Sequence, residues 1–270
     1  MNEVSQLGKN GKFFVIAGPC VVEGTDFLLK TARIIKGIAD ELRVPLVFKS
    51  SYDKANRTSV KGFRGPGLKE GLKALAMVKK KLGLPVLTDV HEISEVKAAA
   101  KVADVLQIPA FLSRQTSLLM EAAKHGEVVN VKKAQFMAPW EMANVVEKMR
   151  KSGQKNIWLT ERGTVFGYNN LVVDYRGIPE MQKTGCPVIF DGTHSVQQPA
   201  AKGTSSGGTR EHVPTLVRAA VAAGVDGLFL EVHPNPPKAK SDAATQITFD
   251  TFRQVLKDSL AIRRALKGSF

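Results

Sequence analysis

Four residues far apart in the chain, Cys20, His194, Glu231 and Asp242, carry one thiol, one imidazole and two carboxylates. Gathered in one place they would make a metal site of mixed softness. Such a set suits Fe(II), Zn(II), Mn(II) or Co(II) better than Mg(II) or Ca(II). Each residue also has a plainer reading. A single buried Cys is more often core than ligand, and a loop Asp more often caps or turns the chain. His233 competes with His194 for the imidazole place, because Glu231 and His233 share a strand face at period two. Residue types alone leave both readings open.

A second group is cationic: Lys49, Lys54, Arg57, Arg114, Lys132 and Arg162. Six cations over one opening would repel one another unless anions shared the space. They predict a ligand with more than one anionic group, such as two phosphates, with the Arg side chains clamping oxygens in bidentate fashion. The segment Lys54-Ala55-Asn56-Arg57-Thr58 offers cation, amide, cation and hydroxyl, able to hold phosphate oxygens and sugar hydroxyls. As a short motif it reads equally well as a polar turn.

These groups need a scaffold that brings them together. Eight short apolar runs recur, at 13–18, 45–50, 85–88, 105–108, 128–131, 157–160, 188–190 and 227–230. Each stops at or near a polar residue: Cys20, Lys49 with Lys54, Asp89, Gln107, Lys132 with Lys133, Arg162, Asp191 with His194, and Glu231. The runs are continuous rather than alternating, which indicates strands buried on both faces of a parallel sheet. Helical stripes lie between them. Leu28, Ala32, Ile35, Ala39 and Leu42 form one; Leu68, Leu72, Leu75, Val78 and Leu82 form another; Val213, Leu216, Val217, Ala220, Val221 and Gly224 form a third. Thr25-Asp26 offers a cap at the start of the first helix, and Gly83 a stop after the second.

Strand and helix alternating eight times over 270 residues predict one α/β domain spanning 1–270, a single (βα)8 TIM barrel with its active site at the C-terminal face of the strands. Closure would make the eighth strand a neighbour of the first, so three adjacent tips would gather the four metal-ligating side chains. An open doubly wound sheet ranks lower, because no Gly-rich dinucleotide turn follows the first strand. Residues 1–12 are expected to form an N-terminal hairpin under the barrel, turning at Asn10-Gly11, or an extension. Three long connections, 51–67, 195–210 and 233–248, follow strands and are expected to act as mobile lids.

Composition narrows the classes. A formal charge of +14 favours anionic partners, yet no zinc-finger spacing, aromatic RNP-like strand or basic region joined to heptads supports nucleic acid. No apolar stretch is long enough to span a bilayer, and no charged-then-apolar leader opens the chain, so no membrane is expected and the location is read as cytoplasmic. The two cysteines suit a reducing compartment. Cys20 follows the first strand and Cys186 precedes the seventh, at opposite ends of strands roughly 20 Å long. A disulfide needs Cα atoms within about 7 Å, so both should be free.

The ordered motifs resemble one family closely. They are AGPC (17–20), FKSSYDKANRTS (48–59), FRGPGL (63–68), QIPAFLSRQT (107–116), NVKKAQF (130–136), LTERGTVFGYNNLVVD (159–174), DGTHSVQQP (191–199), GGTRE (207–211) and EVHPNPPKAKSDAATQ (231–246). The chain resembles the 3-deoxy-D-manno-octulosonate 8-phosphate synthases of lipopolysaccharide precursor synthesis, and Cys20 in the AGPC position places the resemblance with their metal-dependent class. The resemblance implies a homotetrameric barrel that condenses phosphoenolpyruvate with arabinose 5-phosphate and water. It implies that Lys54, Lys132 and Arg162 hold phosphoenolpyruvate, helped by Lys49, Ser51, Gln107 and the backbone of Ala110. Asn56, Arg57 and Thr58 would contact the sugar phosphate, with Arg114 reaching that of a neighbouring subunit. One divalent transition metal (Zn, Fe, Mn or Co) per subunit would sit on Cys20, His194, Glu231 and Asp242. Asp89 and Glu231 are candidates for positioning or proton transfer, and His194 for catalysis as well as ligation. Three departures stand out: Thr58 for the more usual Ser, Ser117 where Asp commonly follows RQT, and Gly192 at a variable place beside His194.

The nearest alternative, 3-deoxy-D-arabino-heptulosonate 7-phosphate synthase, uses the shorter erythrose 4-phosphate. Its corresponding segment typically reads KPRTS, so Ala55-Asn56 argues for the longer sugar. A non-catalytic phosphate- or nucleic-acid-binding protein would leave the ordered strand-tip residues unexplained.

Overall fold

The computed structural model describes residues 3–9, 11–201 and 206–266. All eight apolar runs are strands: β1 (Phe14–Gly18), β2 (Leu46–Lys49), β3 (Val86–Asp89), β4 (Val105–Ile108), β5 (Val128–Lys132), β6 (Ile157–Glu161), β7 (Val188–Asp191) and β8 (Gly227–Glu231). Every residue in them is buried, as continuous apolar runs require of strands covered on both faces. They pair in parallel, each with its neighbour in sequence, and β1 closes onto β8 with Phe14 opposite Gly227 and Gly18 opposite Glu231. The fold is a closed (βα)8 barrel.

The helices are α1 (Thr25–Glu41), α2 (Leu68–Leu82), α3 (Ile93–Ala100), α4 (Thr116–His125), α5 (Met142–Lys151), α6 (Gly177–Gln182), α7 (Val213–Ala222) and α8 (Phe249–Ala265). Their apolar stripes meet the outer faces of the strands. Leu28, Ala32, Ile35 and Ala39 of α1 and Leu72, Leu75 and Val78 of α2 are buried in this layer, each large side chain contributing roughly 2 kcal/mol by leaving water. Gly83 does end α2, in the left-handed conformation. Thr25 does not cap α1. It is the first helical residue, and the cap position falls to Gly24 at φ 144°, with no side-chain bond.

Inside the barrel lies a separate apolar layer of Phe14, Ile16, Val47, Leu87, Val105, Val128, Trp158, Ile189 and Phe229. Phe14 and Trp158 pack with ring centroids 4.8 Å apart. Val4 and Leu7, from a 3-10 turn at Glu3–Gln6 and the residues after it, close this layer from below. Of the expected hairpin turn, Asn10 lies outside the described residues.

The three long connections follow β2, β7 and β8. The one after β7 folds into a ribbon pairing Gln197–Gln198 with Gly207–Gly208; residues 202–205 within it lie outside the described residues. A fourth long connection follows β6. It carries its own ribbon, Thr164–Val165 against Leu171–Val172.

Candidate active site

The strand tips surround a cavity of about 620 Å³. On one side of its floor, β1, β7 and β8 deliver a compact donor set. Ligand atoms of Cys20, Glu231 and Asp242 lie within 4.8 Å of one another. His194 Nε2 stands 3.7 Å from Glu231 Oε2 and 3.6 Å from Asp242 Oδ2. Cys20 Sγ lies 3.1 Å from Asp242 Oδ2 and 2.9 Å from Ser241 Oγ. Glu231 Oε1 accepts from Lys49 Nζ at 2.7 Å, whereas its Oε2 is buried with no partner. An unpartnered buried carboxylate oxygen is costly. Facing a thiol, an imidazole and a second carboxylate, it fits a bound cation.

Backbone geometry prepares this set. A Cβ on Gly18 would lie 1.9 Å from the Lys49 carbonyl oxygen, so only glycine lets β1 run this close to β2. Lys49 Nζ can then donate to the Cys20 carbonyl at 2.9 Å as well as to Glu231. Asp242 sits at φ 44°, a left-handed conformation costing a non-glycine residue roughly 1 kcal/mol. Bonds from the N–H groups of Thr245 and Gln246 to its carbonyl hold it there. Gln246 also accepts from the Cys20 N–H at 3.2 Å and donates to the Ser241 carbonyl at 2.7 Å, tying the two loops together. Burial, then Asp242 and Glu231, push the Cys20 thiol well above its ordinary range. The neutral thiol prevails until a cation compensates the thiolate.

The rest of the cavity is lined by Lys49, Lys54, Arg57, Lys132 and Arg162 near the strand tips and by Lys240 from the loop after β8, whose Nζ lies 4.7 Å from the centre of the Phe63 ring. Lys49, Lys54 and Lys132 are already paired. Lys132 Nζ donates to Asp191 Oδ2 at 2.5 Å and sits 3.7 Å from the centre of the Phe229 ring; Lys54 Nζ lies 4.0 Å from Glu231. Asp191 in turn bonds His194 Nδ1 at 2.8 Å, fixing the ring. The two arginines differ. Arg162 is buried, and among the described residues its side chain donates only to Gln197 Oε1, at 3.1 Å, leaving Nη1 without a partner. Arg57 donates through Nε to the Phe63 carbonyl and leaves Nη2 buried and unpartnered. Burial lowers the affinity of Arg162 for its proton, yet guanidinium keeps it at any physiological pH. The cavity therefore holds two unsatisfied guanidinium forks, each waiting for an oxyanion.

Between them runs a buried polar belt. Thr160 Oγ1 donates to Asn130 Oδ1 at 2.7 Å, and Asn130 Nδ2 to Gln107 Oε1 at 3.1 Å. This bond fixes which end of the Gln107 amide faces the cavity. Asp89 and His91 line the β3 side, 3.0 Å apart.

The family model described as "DAHP synthetase I family" matches residues 2–265, nearly the whole chain. The chain belongs to the DAHP synthetase I family. Among similar family members, a protein of Geobacter sp. (strain M21) is 57% identical over 252 residues, covering 93% of this chain and 92% of its own. One from Cyanothece sp. is 55% identical, with coverage of 96% and 95%. One from Syntrophotalea carbinolica is 54% identical, with coverage of 97% and 95%. All three carry the name 2-dehydro-3-deoxyphosphooctonate aldolase.

Against the resemblance drawn from the motifs, the structure brings most of the expected residues of this family member to one place. Lys49, Lys54, Asn56, Arg57, Thr58, Asp89, Gln107, Ala110, Lys132, Arg162, His194 and Asp242 all line the cavity. Cys20 and Glu231 lie just beneath it, fully buried, as does Ser51, whose Oγ has no partner. Arg114 is the exception. Its side chain is 65% exposed, lies 3.6 Å from Glu141 and does not line the cavity. Five of the six expected cations line the cavity of one subunit, and Lys240 from the loop after β8 lines it as well. The protein's own carboxylates offset Lys49, Lys54 and Lys132, so the demand for anions falls mainly on the arginines. His233 does not compete with His194: it turns toward Glu23 and Phe27, outside the donor set.

Sequence reasoning overlooked His91, Gln135 and Gln197. His91 was findable, because Asp89 and His91 sit two apart at a strand tip and so face one side. Gln135 and Gln197 lie in loops whose path no periodicity encodes.

Proposed function

We propose that this chain is a 2-dehydro-3-deoxyphosphooctonate aldolase. It condenses phosphoenolpyruvate with D-arabinose 5-phosphate and water to give 3-deoxy-D-manno-octulosonate 8-phosphate and inorganic phosphate. The observation that carries this reading is the pair of guanidinium forks with unspent buried N–H groups in one cavity that also holds the thiol–imidazole–carboxylate set. Two oxyanions are what a reaction between two phosphorylated substrates presents.

Arg162, Lys132 and Lys54 hold the phosphate and carboxylate of phosphoenolpyruvate, with Lys49, Ser51, Gln107 and the Ala110 backbone shaping the floor. Asn56, Arg57 and Thr58 take the sugar phosphate chain. Fixing both substrates converts a two-body encounter into reaction between adjacent carbons. C3 of phosphoenolpyruvate bonds the aldehyde carbon, water adds at C2, and phosphate leaves by C–O cleavage. The aldehyde oxygen gains a proton to become a hydroxyl. Arg162 and Lys132 neutralise the charge that builds on the departing phosphate. Asp89 and His91 hold a proton between them at the cavity wall.

Cys20, His194, Glu231 and Asp242 would hold one divalent transition ion (Zn, Fe, Mn or Co). Such an ion supplies Lewis acidity toward a substrate or water oxygen. The outward Arg114, with Phe111, Phe136 and Trp140 exposed on neighbouring loops, supports a homotetramer in which Arg114 completes the site of an adjacent subunit. Two free thiols and the absence, among the described residues, of a helix long and apolar enough to cross a membrane support a cytoplasmic enzyme.

The test is phosphate release from phosphoenolpyruvate with arabinose 5-phosphate, with erythrose 4-phosphate and with neither, before and after chelation. Turnover with the five-carbon sugar, lost on chelation and restored by a transition metal, is expected. Preference for erythrose 4-phosphate would move the chain to the heptulosonate reaction, the substrate that the segment Ala55-Asn56 argues against.

A further inference from the structure

On the β2–β3 side of the cavity, four side chains form a chain of contacts that runs from beneath α2 to the cavity wall. The Tyr52 hydroxyl donates to Glu95 Oε2 at 2.6 Å. That oxygen also accepts from the backbone N–H of His91 at 2.9 Å and of Glu92 at 3.2 Å, and stands 3.6 Å from His91 Nδ1. The other ring nitrogen, Nε2, lies 3.0 Å from Asp89 Oδ2. Asp89 Oδ1 is buried without a partner, and Asp89 and His91 both face the cavity. Tyr52 itself is sealed off. It is fully buried, its ring meets the His91 ring edge-on at 5.6 Å, and a Cβ on Gly71 of α2 would come within 2.2 Å of its own Cβ.

Glu95 closes a capping box at the start of α3, which accounts for its bond to Glu92. Capping does not account for a buried phenol aimed at the same oxygen, nor for an imidazole wedged between two carboxylates. We propose that Tyr52 and Glu95 are positioning residues, acting through His91 to hold Asp89 as an ionised acceptor for a substrate hydroxyl or water. The proposal rests on the aldolase reading for the identity of those substrates, but the contacts stand without it.

The electrostatics agree with this geometry. Burial alone would discharge His91, yet its bond to Asp89 and the nearby Glu95 carboxylate raise it to about 9, which favours the cationic ring at neutral pH. Burial opposes ionisation of Asp89 as well, but His91, Lys54 and Lys49 hold its carboxyl well below the ordinary range. Glu95 is held near 2 against burial by His91 and Tyr52. The groups facing the ring are Asp89 from β3, Glu95 from α3 and Tyr52 from the loop after β2; Asp53 acts on Tyr52 from the same loop. As pH rises through about 9, His91 loses its charge and Asp89 loses the cation beside it.

Two conservative variants separate positioning from capping. Glu95→Gln keeps an acceptor for the helix cap and removes only charge; Tyr52→Phe keeps the ring and removes only the hydroxyl. His91 would be titrated by NMR in each, alongside the pH profile of kcat/KM. In Glu95→Gln the His91 midpoint should fall by about one unit or more. The alkaline limb of kcat/KM should fall with it, at little loss near pH 7. Tyr52→Phe should move both in the same direction by less. An unmoved His91 midpoint in Glu95→Gln overturns the relay, and so does a shifted midpoint with an unmoved alkaline limb. Should wild-type protein release no phosphate from the two substrates, the aldolase reading fails, and the NMR midpoints still decide the relay.

Discussion

The two ends of the barrel interior solve opposite problems with the same eight strands. At the lower end, Phe14, Trp158, Val128 and their neighbours fill the space with carbon, and Val4 and Leu7 stop it from beneath. At the upper end, strands β2, β5 and β7 finish in Lys49, Lys132 and Asp191, and buried atoms of Arg162, Glu231, Ser51 and Asp89 are left without partners. Packing at the bottom stabilises the fold, whereas unmet hydrogen bonds at the top are a standing cost that a ligand removes. Only a few residues of strand separate the two regimes. A barrel can carry strain at its mouth because its foundation lies elsewhere.

Substitutions should divide along that line. Cys20→Ala should abolish stoichiometric binding of a transition metal, measured by metal analysis after gel filtration, while the thermal melt of the metal-free protein changes little. Retention of metal at full occupancy would remove the thiol from the site. Trp158→Ala should cost about 3–5 kcal/mol of stability by denaturant titration, with activity per folded molecule largely kept. Arg162→Met should lower kcat/KM by roughly 10²–10³. Its unliganded melting temperature should hold or rise, because a buried unpaired donor is gone. If Arg162→Met melts much lower, the contrast between the two ends is mistaken. The smallest effect concerns pH. His91 has a folded value near 9, above the ordinary histidine value, so its contribution is fully present below about pH 6.5 and is lost as pH rises through 9. Wild type should therefore lose up to about 3 kcal/mol of its stability margin over His91→Gln between pH 6 and pH 10.

The barrel was legible because each strand is an uninterrupted apolar run and each helix a stripe, patterns set by local spacing. The donor set was legible for a different reason: once strand order is known, residues at strand tips have only one place to go. Loop residues lacked such a rule. Arg114 follows β4 like a site residue, yet a 3-10 turn at Ala110–Leu112 carries the chain away from the cavity before reaching it. The ribbon after β6 has only two residues on each side, too few for a periodic signal. Thr25 failed as a cap because Gly24 reaches a backbone angle that Thr cannot.

Both thiols are hidden, one under the mouth and the other just before β7 at the far end. That placement makes the metal-free chain its own reporter of opening. A loosening confined to the upper loops would let a maleimide reach Cys20 alone, while general unfolding would deliver both sulfurs at one rate. Counting labels by mass would thus tell breathing of the rim from collapse of the whole.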